Sequence, residues 1–240
     1  MPGIASDNNL QRVISAVTEV QVLSEQSSAH YFIVKMEGID DFSSLLDIDF
    51  VKDYISQVAP VPYRERFYWG SEIKKELEKS KCNVSEYSIF VGKSFESLSQ
   101  IYKPYKITFD VSTRSSDAKD EIQGISYFDI KNAAGDILAV GWYGELSFYG
   151  TVSDDKVAGI RIRQGNILIG DNKTLSPYFV ESRFNNWCIG ELYILSNELI
   201  PNARRDGFEN NRTFNEFCDY FKKNIGLTLG LKTVSYTHLT

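Results

Sequence analysis

The sequence predicts an α+β protein with a β-rich centre between helical segments. Two pairs of segments alternate apolar and polar residues on either side of a short polar turn, which is typical of antiparallel hairpins. Apolar residues spaced three and four apart predict amphipathic helices before and after that centre. The chain has 240 residues, of which 42% are hydrophobic and 24% charged, so it can bury a sizeable core in one or two domains.

The N-terminal quarter combines predicted strands with a predicted helix. Residues 13–23 and 30–36 alternate in part and are separated by a polar turn, which predicts a pair of strands. Apolar residues at helical spacing predict a helix over residues 45–58, which Pro60 would stop. The proline-containing stretch 59–62 is then the expected linker.

A short amphipathic helix is expected after this linker. Ser71 is its expected N-cap, and Ile73 and Leu77 lie on one face. Residues 87–91 then predict a strand that breaks at Gly92.

The centre of the chain predicts two hairpins. Residues 125–130 face residues 137–142, and residues 159–163 face residues 167–170. Both pairs are separated by turns that contain glycine, as hairpin loops commonly are.

Arg161 and Arg163 lie two residues apart and therefore share one face of a predicted strand. A basic pair on a strand could contact phosphate. The favoured interpretation is a solvent-facing pair that is balanced by the acidic surface of the protein.

The last third predicts a short helix, a strand and a longer helix. The short helix is expected over residues 178–184 and the strand over residues 187–195. Thr213 and Glu216 have the spacing of a capping box, so the longer helix is expected to begin there and to end at Gly226.

Charge and the two chain ends exclude several classes of protein. The 26 basic and 32 acidic residues give a net charge of −6, so bulk attraction to nucleic acid or anionic membrane is not expected. No apolar run could span a bilayer, and residues 1–9 do not resemble a signal peptide, so the cytoplasm is the expected location. Residues 234–240 resemble translated sequencing adapter and form a candidate non-native tail.

Familiar metal and phosphate motifs are missing from the sequence. Two histidines, His30 and His238, cannot build a histidine-rich metal site, and no metal site is expected. The three scattered cysteines fit neither a disulfide framework nor a zinc knuckle, so we expect reduced packing residues. Neither of the two common glycine-rich phosphate-binding motifs is present.

The most unusual segment is the polar loop over residues 198–210, which we call the Arg loop. Its Arg204 and Arg205 offer guanidinium groups, which suit a phosphoryl group because its charge spreads over three oxygens during transfer. The acidic residues Asp206 and Glu209 could hold such a guanidinium in place. From the residues alone the favoured interpretation is a local ion pair between one arginine and Asp206 or Glu209, which would attach the loop to the next helix.

The run over residues 199–209 resembles the catalytic loop in the middle domain of the ninety-kilodalton heat-shock chaperone ATPases. That loop has the approximate pattern D-L-P-L-N-x-S-R-E-x-L-Q. Asn202, Arg205 and Asp206 fall on its Asn, Arg and acidic positions, and Glu209 stands where the family has Gln.

The resemblance extends over residues 45–225. Residues 159–169 and 177–184 resemble the strand and segment that lead to the family's loop. Residues 53–63 are similar to the domain junction in chaperone-like members of the gyrase, histidine-kinase and MutL-type ATPase superfamily. The resemblance implies a two-layer transducer domain, a β-sheet with packed helices and a left-handed βαβ crossover.

The resemblance also implies a division of the chain. Residues 1–44 would be the closing strands of an upstream nucleotide-binding domain, residues 45–62 a helix and linker, and residues 63–226 the middle domain.

The implied function is that of one part of a split ATPase. An upstream domain would bind ATP and magnesium, and Arg205 would be the catalytic residue at the terminal phosphate. Asn202, Arg204, Asp206 and Glu209 would support the loop. The fragment alone would be inactive, and its partners would be that upstream domain, a protein client and a second copy in the intact protein.

Two other functions remain open. A non-enzymatic protein-binding module would present Tyr127, Phe128, Trp142 and Tyr143 as a contact surface, although such aromatics are more often core. A MutL-like DNA-processing transducer would need a basic groove and a lysine loop, which the net charge of −6 and the sequence disfavour.

Overall fold

The computed structural model describes residues 34, 37, 38, 44–112 and 117–237. The chain divides into two compact units, Met1–Asp40 and Asp41–Thr240, and every described helix and strand belongs to the second. The strands predicted over residues 13–23 and 30–36 lie outside the described residues, apart from Val34. His30 and His238 lie outside them as well.

The second unit contains ten strands and four α-helices among its described residues. The helices are α1 (Ile48–Val58), α2 (Trp69–Lys79), α3 (Arg212–Tyr220) and α4 (Leu227–Thr237). The strands are β1 (Phe90–Val91), β2 (Ser99–Gln100), β3 (Thr108–Ser112), β4 (Asp117–Glu121), β5 (Gly124–Lys131), β6 (Ile137–Glu145), β7 (Thr151–Val152), β8 (Gly159–Gln164), β9 (Ile167–Ile169) and β10 (Ile189–Ile194).

Five strands form the central sheet, in the order β5-β6-β10-β8-β9. The antiparallel pairs β5–β6 and β8–β9 are the two predicted hairpins, which are therefore confirmed. β10 joins them because it pairs antiparallel with β6 and parallel with β8. A largely antiparallel sheet with separate helices confirms an α+β protein.

The connection between the parallel strands β8 and β10 contains β9 and two short 3-10 helices. These helices are Ser176–Tyr178 and Ser182–Trp187, so the single helix expected over residues 178–184 is wrong. The strand expected over residues 187–195 is confirmed as β10. Smaller sheets, β4-β3-β7 and β1-β2, accompany the central one, and the strand expected over residues 87–91 is reduced to the two residues of β1.

The helix predicted over residues 45–58 is confirmed as α1. Its N-cap is Asp47, whose Oδ1 accepts hydrogen bonds from the backbone N–H of Asp49 and Phe50 at 2.9 and 3.2 Å. The stretch 59–62 after α1 is packed against other segments: the N–H of Tyr87 donates to the Pro60 carbonyl at 2.8 Å, and Val61 is fully buried.

The starts of α2 and α3 differ from the predicted ones. α2 begins at Trp69, so Ser71 is not its N-cap. The N-cap of α3 is Asn211, whose side chain accepts from the N–H of Phe214 at 2.8 Å. The capping box at Thr213 is therefore wrong, because the Thr213 hydroxyl donates instead to the Glu198 carboxylate.

Gly226 does not end the C-terminal helix, which contradicts the prediction. The chain passes from α3 through a π-helix, Phe221–Gly226, directly into α4. A Cβ atom at Gly226 would lie 2.2 Å from the carbonyl oxygen of Tyr178. Glycine is required here because the helix passes very close to a neighbouring backbone, not because the helix stops.

Both faces of the central sheet are covered. Tyr127 of β5 lies opposite Trp142 of β6, and its hydroxyl is 3.5 Å from Glu72 of α2. Tyr143 points to the other face, since neighbouring strand residues alternate, and Lys232 of α4 donates to its hydroxyl at 3.2 Å. The side chains between these layers are consequently removed from water.

The aromatic residues proposed as a contact surface belong to the core instead. Trp142 is fully buried, and Tyr127, Phe128 and Tyr143 are partly buried against the same core. All three cysteines are buried and unpaired, as the sequence predicts. Of the helices that the structure describes, none is long and apolar enough to cross a membrane.

We predict that Gly226→Ala destabilises the protein by about 2 kcal/mol or more, because the added methyl group meets backbone that cannot move freely. Gly230→Ala is the matched control, since its Cβ would be 3.4 Å from the nearest side chains. That change should be neutral or slightly stabilising, as alanine is a better helix former. Urea unfolding of both variants tests this, and equal midpoints would contradict the close approach.

Candidate functional site

The Arg loop is a short hairpin rather than an irregular segment. Pro201 and Phe208 form an isolated antiparallel bridge. The N–H of Asn202 donates to the Gly207 carbonyl at 3.0 Å, and the N–H of Glu209 donates to the Ile200 carbonyl at 2.8 Å. The four residues 203–206 form the exposed tip of this hairpin.

Asn202 and Asp206 close the tip. The Asn202 amide Nδ2 donates to Asp206 Oδ1 at 2.6 Å, and its Oδ1 accepts from the Asp206 N–H at 3.2 Å. The N–H of Arg205 also donates to the Asn202 carbonyl at 2.9 Å. Arg205 has a φ of 56°, a left-handed conformation that a non-glycine residue keeps only when its surroundings hold it.

The Arg loop is attached to the rest of the unit at its tip and at its base. Gly170, directly after β9, donates its N–H to the Arg205 carbonyl at 2.8 Å. At the base, Glu198 accepts from the Thr213 hydroxyl at 2.5 Å through its carboxylate and from the Asn211 side chain at 2.8 Å through its carbonyl. The loop is therefore fixed between the edge of the sheet and the start of α3.

The two arginine side chains at the tip are exposed. Within the described part of the chain, neither guanidinium forms a hydrogen bond or ion pair, so the local ion pair with Asp206 or Glu209 is not formed. The Asp206 carboxylate is occupied by Asn202, and the Glu209 side chain is exposed and has no partner among the described residues. A fixed backbone thus presents Arg204 and Arg205 with donors free to bind an anion.

A second group of polar side chains lies inside the protein, on the face of the sheet that α1 and α2 cover. Arg161 and Arg163 are 2% and 0% exposed, so the predicted solvent-facing pair is wrong. Strand register explains the burial, because Arg161 pairs with Glu191 and Arg163 with Tyr193 of β10, in the middle of the sheet.

The carboxylate of Glu191 organises these buried side chains. It accepts hydrogen bonds from Arg163 Nε, from Lys103 Nζ at 2.7 Å, and from the hydroxyls of Tyr63 and Tyr193, each at 2.6 Å. We call these five residues the Glu191 cluster. Lys103, Arg163 and Glu191 have no exposed side-chain area, so the charged groups of the cluster are out of contact with water.

Arg163 links the cluster to two other parts of the unit. Its Nη2 donates to the Gln57 carbonyl in the last turn of α1 at 2.9 Å. Its Nη1 donates to the Asn166 carbonyl in the turn between β8 and β9 at 3.0 Å. One guanidinium thereby joins α1, β10 and the hairpin whose far end contacts the Arg loop.

The buried charges are not balanced. Lys103, Arg161 and Arg163 bring three cations to the single carboxylate of Glu191. Burial and the nearby Arg163 together lower the pKa of Lys103 to about 7, against the attraction of Glu191. Burial alone would raise the pKa of Glu191, but Arg163 and Lys103 outweigh it and hold that pKa well below its usual range.

The predicted site residues all lie in the Arg loop, and the Glu191 cluster was not predicted. The sequence places Glu191 and Tyr193 only in a predicted strand, and Lys103 and Tyr63 carry no local signal. Arg161 and Arg163 did carry one, since two cations on a strand of otherwise apolar residues indicate that a buried acid lies elsewhere in the chain. The described residues contain no group of three or more His, Cys, Asp or Glu that could hold a metal ion.

We predict that Glu191→Gln destabilises the protein by about 3 to 5 kcal/mol, because it leaves buried cations without a counter-charge. Glu209→Gln is the matched control, as it makes the same chemical change on an exposed side chain. Its effect should stay within about 0.5 kcal/mol. Urea unfolding at neutral pH measures both, and a small loss in Glu191→Gln would show that the cluster does not depend on this carboxylate.

We also predict that the stability contribution of Lys103 increases with pH. The folded protein lowers this pKa to about 7. Above pH 7 the unfolded chain therefore keeps a proton on Lys103 that the folded protein has released, so stability rises with pH. The cost of burying a charged lysine is therefore present below pH 7 and is relieved above it. Between about pH 6.5 and 8.5, wild type should gain about 2 kcal/mol relative to Lys103→Met. Parallel pH profiles for the two proteins would contradict this.

Three comparisons with known proteins found no relative of this chain. No family model matches the chain, and no curated protein and no solved structure matches it either.

Proposed function

We propose that this chain is the middle-domain part of a chaperone-like ATPase and that Arg205 contacts the terminal phosphate of ATP. ATP and magnesium would be bound by an upstream nucleotide-binding domain. The observation that carries the proposal is the tip of the Arg loop. There the Arg205 side chain has no partner among the described residues and extends from a backbone held in a strained conformation. This arrangement accompanies the sequence resemblance at Asn202, Arg205 and Asp206.

The electrostatics of the tip suit phosphoryl transfer. In the transition state the transferred phosphoryl group spreads negative charge over three oxygens, and a guanidinium can donate hydrogen bonds to two of them at once. A donor that is already in position stabilises this charge without reorganising during the reaction. Asn202 and Asp206 preorganise the backbone from which the Arg205 side chain extends, and Arg204 adds positive charge beside it.

The Glu191 cluster supports the proposed coupling between hydrolysis and domain closure. Arg163 and Tyr63 bind the segment 57–63 to the sheet, and the β8–β9 hairpin joins the same arginine to the tip of the Arg loop. A displacement of the chain upstream of this segment would therefore reach the loop through rigid elements. The same proposal expects the β8-to-β10 connection to be left-handed, and it places the protein in the cytoplasm.

The test is the Arg205→Ala change in the longer protein that includes the coding sequence upstream of Met1. Turnover of ATP should fall by about 100-fold or more, because the negative charge of the phosphoryl group in the transition state loses the Arg205 guanidinium as its hydrogen-bond donor. Nucleotide affinity should change by less than about threefold, since an upstream domain holds the ground state. Arg204→Ala is the matched control and should lower turnover far less.

Three results would overturn this proposal. The first is unchanged turnover in Arg205→Ala. The second is ATP hydrolysis by the purified 240-residue chain alone that persists in Arg205→Ala. The third is an upstream coding region that encodes no nucleotide-binding domain.

A further inference from the structure

A large groove lies on the second unit, away from the residues of the Arg loop. It has a volume of about 820 Å³ and runs between α1, the segment before α2, and the chain from β2 to β3. Buried Phe67, Ile101 and Tyr105 lie along it. A cavity of this size is larger than needed for a small ion and can accept several residues of a peptide.

Basic side chains outnumber acidic ones in this groove, although the chain as a whole has a net charge of −6. Five basic residues line it against three acidic ones: Lys52, Arg64, Arg66, Lys106 and Lys156 against Asp49, Asp53 and Asp154. The groove is therefore a local positive region on an acidic protein, which is the kind of patch that attracts an anionic partner.

Most of these cations have no anionic partner in the part of the chain that the structure describes. Lys156 is paired with Asp53 at 3.1 Å, and Arg64 lies over the ring of Tyr102 at 5.4 Å. The side chains of Lys52, Arg66 and Lys106 form no hydrogen bond or ion pair within the described ranges 44–112 and 117–237. Their charges are available to a bound molecule.

The groove also contains an unpaired strand edge. Among the described strands β2 pairs with β1 alone, and the next residue, Ile101, donates its N–H to the Ile89 carbonyl at 2.8 Å. Because successive N–H groups of an extended chain point in opposite directions, the N–H of Tyr102 points away from β1. It has no partner among the described residues, and Tyr102 lines the groove. An extended peptide could pair with this edge.

We propose that the groove binds an extended acidic segment of a partner protein. Carboxylates of that segment would meet Lys52, Arg66 and Lys106, and its backbone would pair with the chain at Tyr102. Three carboxylates inside the groove disfavour a compact polyphosphate, whose concentrated charge they would repel, whereas spaced acidic side chains can avoid them. This inference is independent of the proposed ATPase role.

The test uses the full 240-residue chain and a fluorescein-labelled peptide of roughly eight residues that alternates glutamate with threonine. Fluorescence anisotropy should show saturable binding that weakens at high salt. The triple variant Lys52→Glu, Arg66→Glu, Lys106→Glu should weaken binding by about tenfold or more, because each change replaces attraction by repulsion. Its unfolding midpoint is measured alongside, so that loss of fold is recognised.

The matched control carries the same charge change elsewhere, as Lys75→Glu, Lys93→Glu and Lys222→Glu on exposed positions. It should bind the peptide within about threefold of wild type, apart from general charge effects. Equal weakening in both triple variants would overturn the proposal, as would equal binding of the same peptide with glutamine in place of glutamate.

Other occupants give distinct results that would also overturn it. Tripolyphosphate or a DNA oligonucleotide that displaces the peptide and binds more tightly would identify a phosphate site. Self-association of the chain that the groove variant abolishes, measured by light scattering, would identify a second copy as the occupant.

Discussion

The carboxylate of Glu191 is the charge on which the second unit depends. It lies on the central sheet with no exposed area, and a buried ion is destabilising by several kcal/mol unless other groups replace its water. Those groups come from distant parts of the chain: Arg163 on the neighbouring strand, Tyr193 on the same strand, and Lys103 and Tyr63 from the segments above the sheet. Because the donors are needed together, the covering segments cannot leave the sheet without exposing unpaired charge to an apolar interior. The cluster therefore favours one arrangement of α1, the following segment and the sheet.

The Arg loop depends on the same sheet indirectly, through the β8–β9 hairpin. Arg163 fixes the turn between β8 and β9, and Gly170 at the far end of that hairpin donates to the carbonyl of Arg205. The exposed tip thus rests on a strand edge whose own position is set from inside the protein. This continuity is why a polar loop on the surface can be rigid, a property that exposed loops do not usually have.

Local features of this fold could be predicted from sequence, and features that depend on distant contacts could not. The hairpins and α1 follow from alternation, turns and helical spacing within a few residues. The sequence predicts Arg161 and Arg163 at the surface because the acid that balances buried positive charge, Glu191, lies 28 residues beyond Arg163 in the chain. The sequence predicts a helix end at Gly226, because the close approach that requires glycine there involves a carbonyl of another segment, that of Tyr178. The position of the Arg loop was predicted, but its closure through Asn202 and its contact with the strand edge required the three-dimensional structure.

For the function proposed above, the left-handed backbone at Arg205 sets stability against function at a single position. A residue with a Cβ atom is strained there by roughly 1 kcal/mol; glycine, which has none, would remove that strain, and asparagine, whose side chain can bond to the local backbone, would reduce it. An engineering effort guided by thermal stability alone would therefore replace this arginine early. The resulting protein would have lost the guanidinium on which the proposed function rests, so thermal stability is a misleading criterion for choosing variants of this loop.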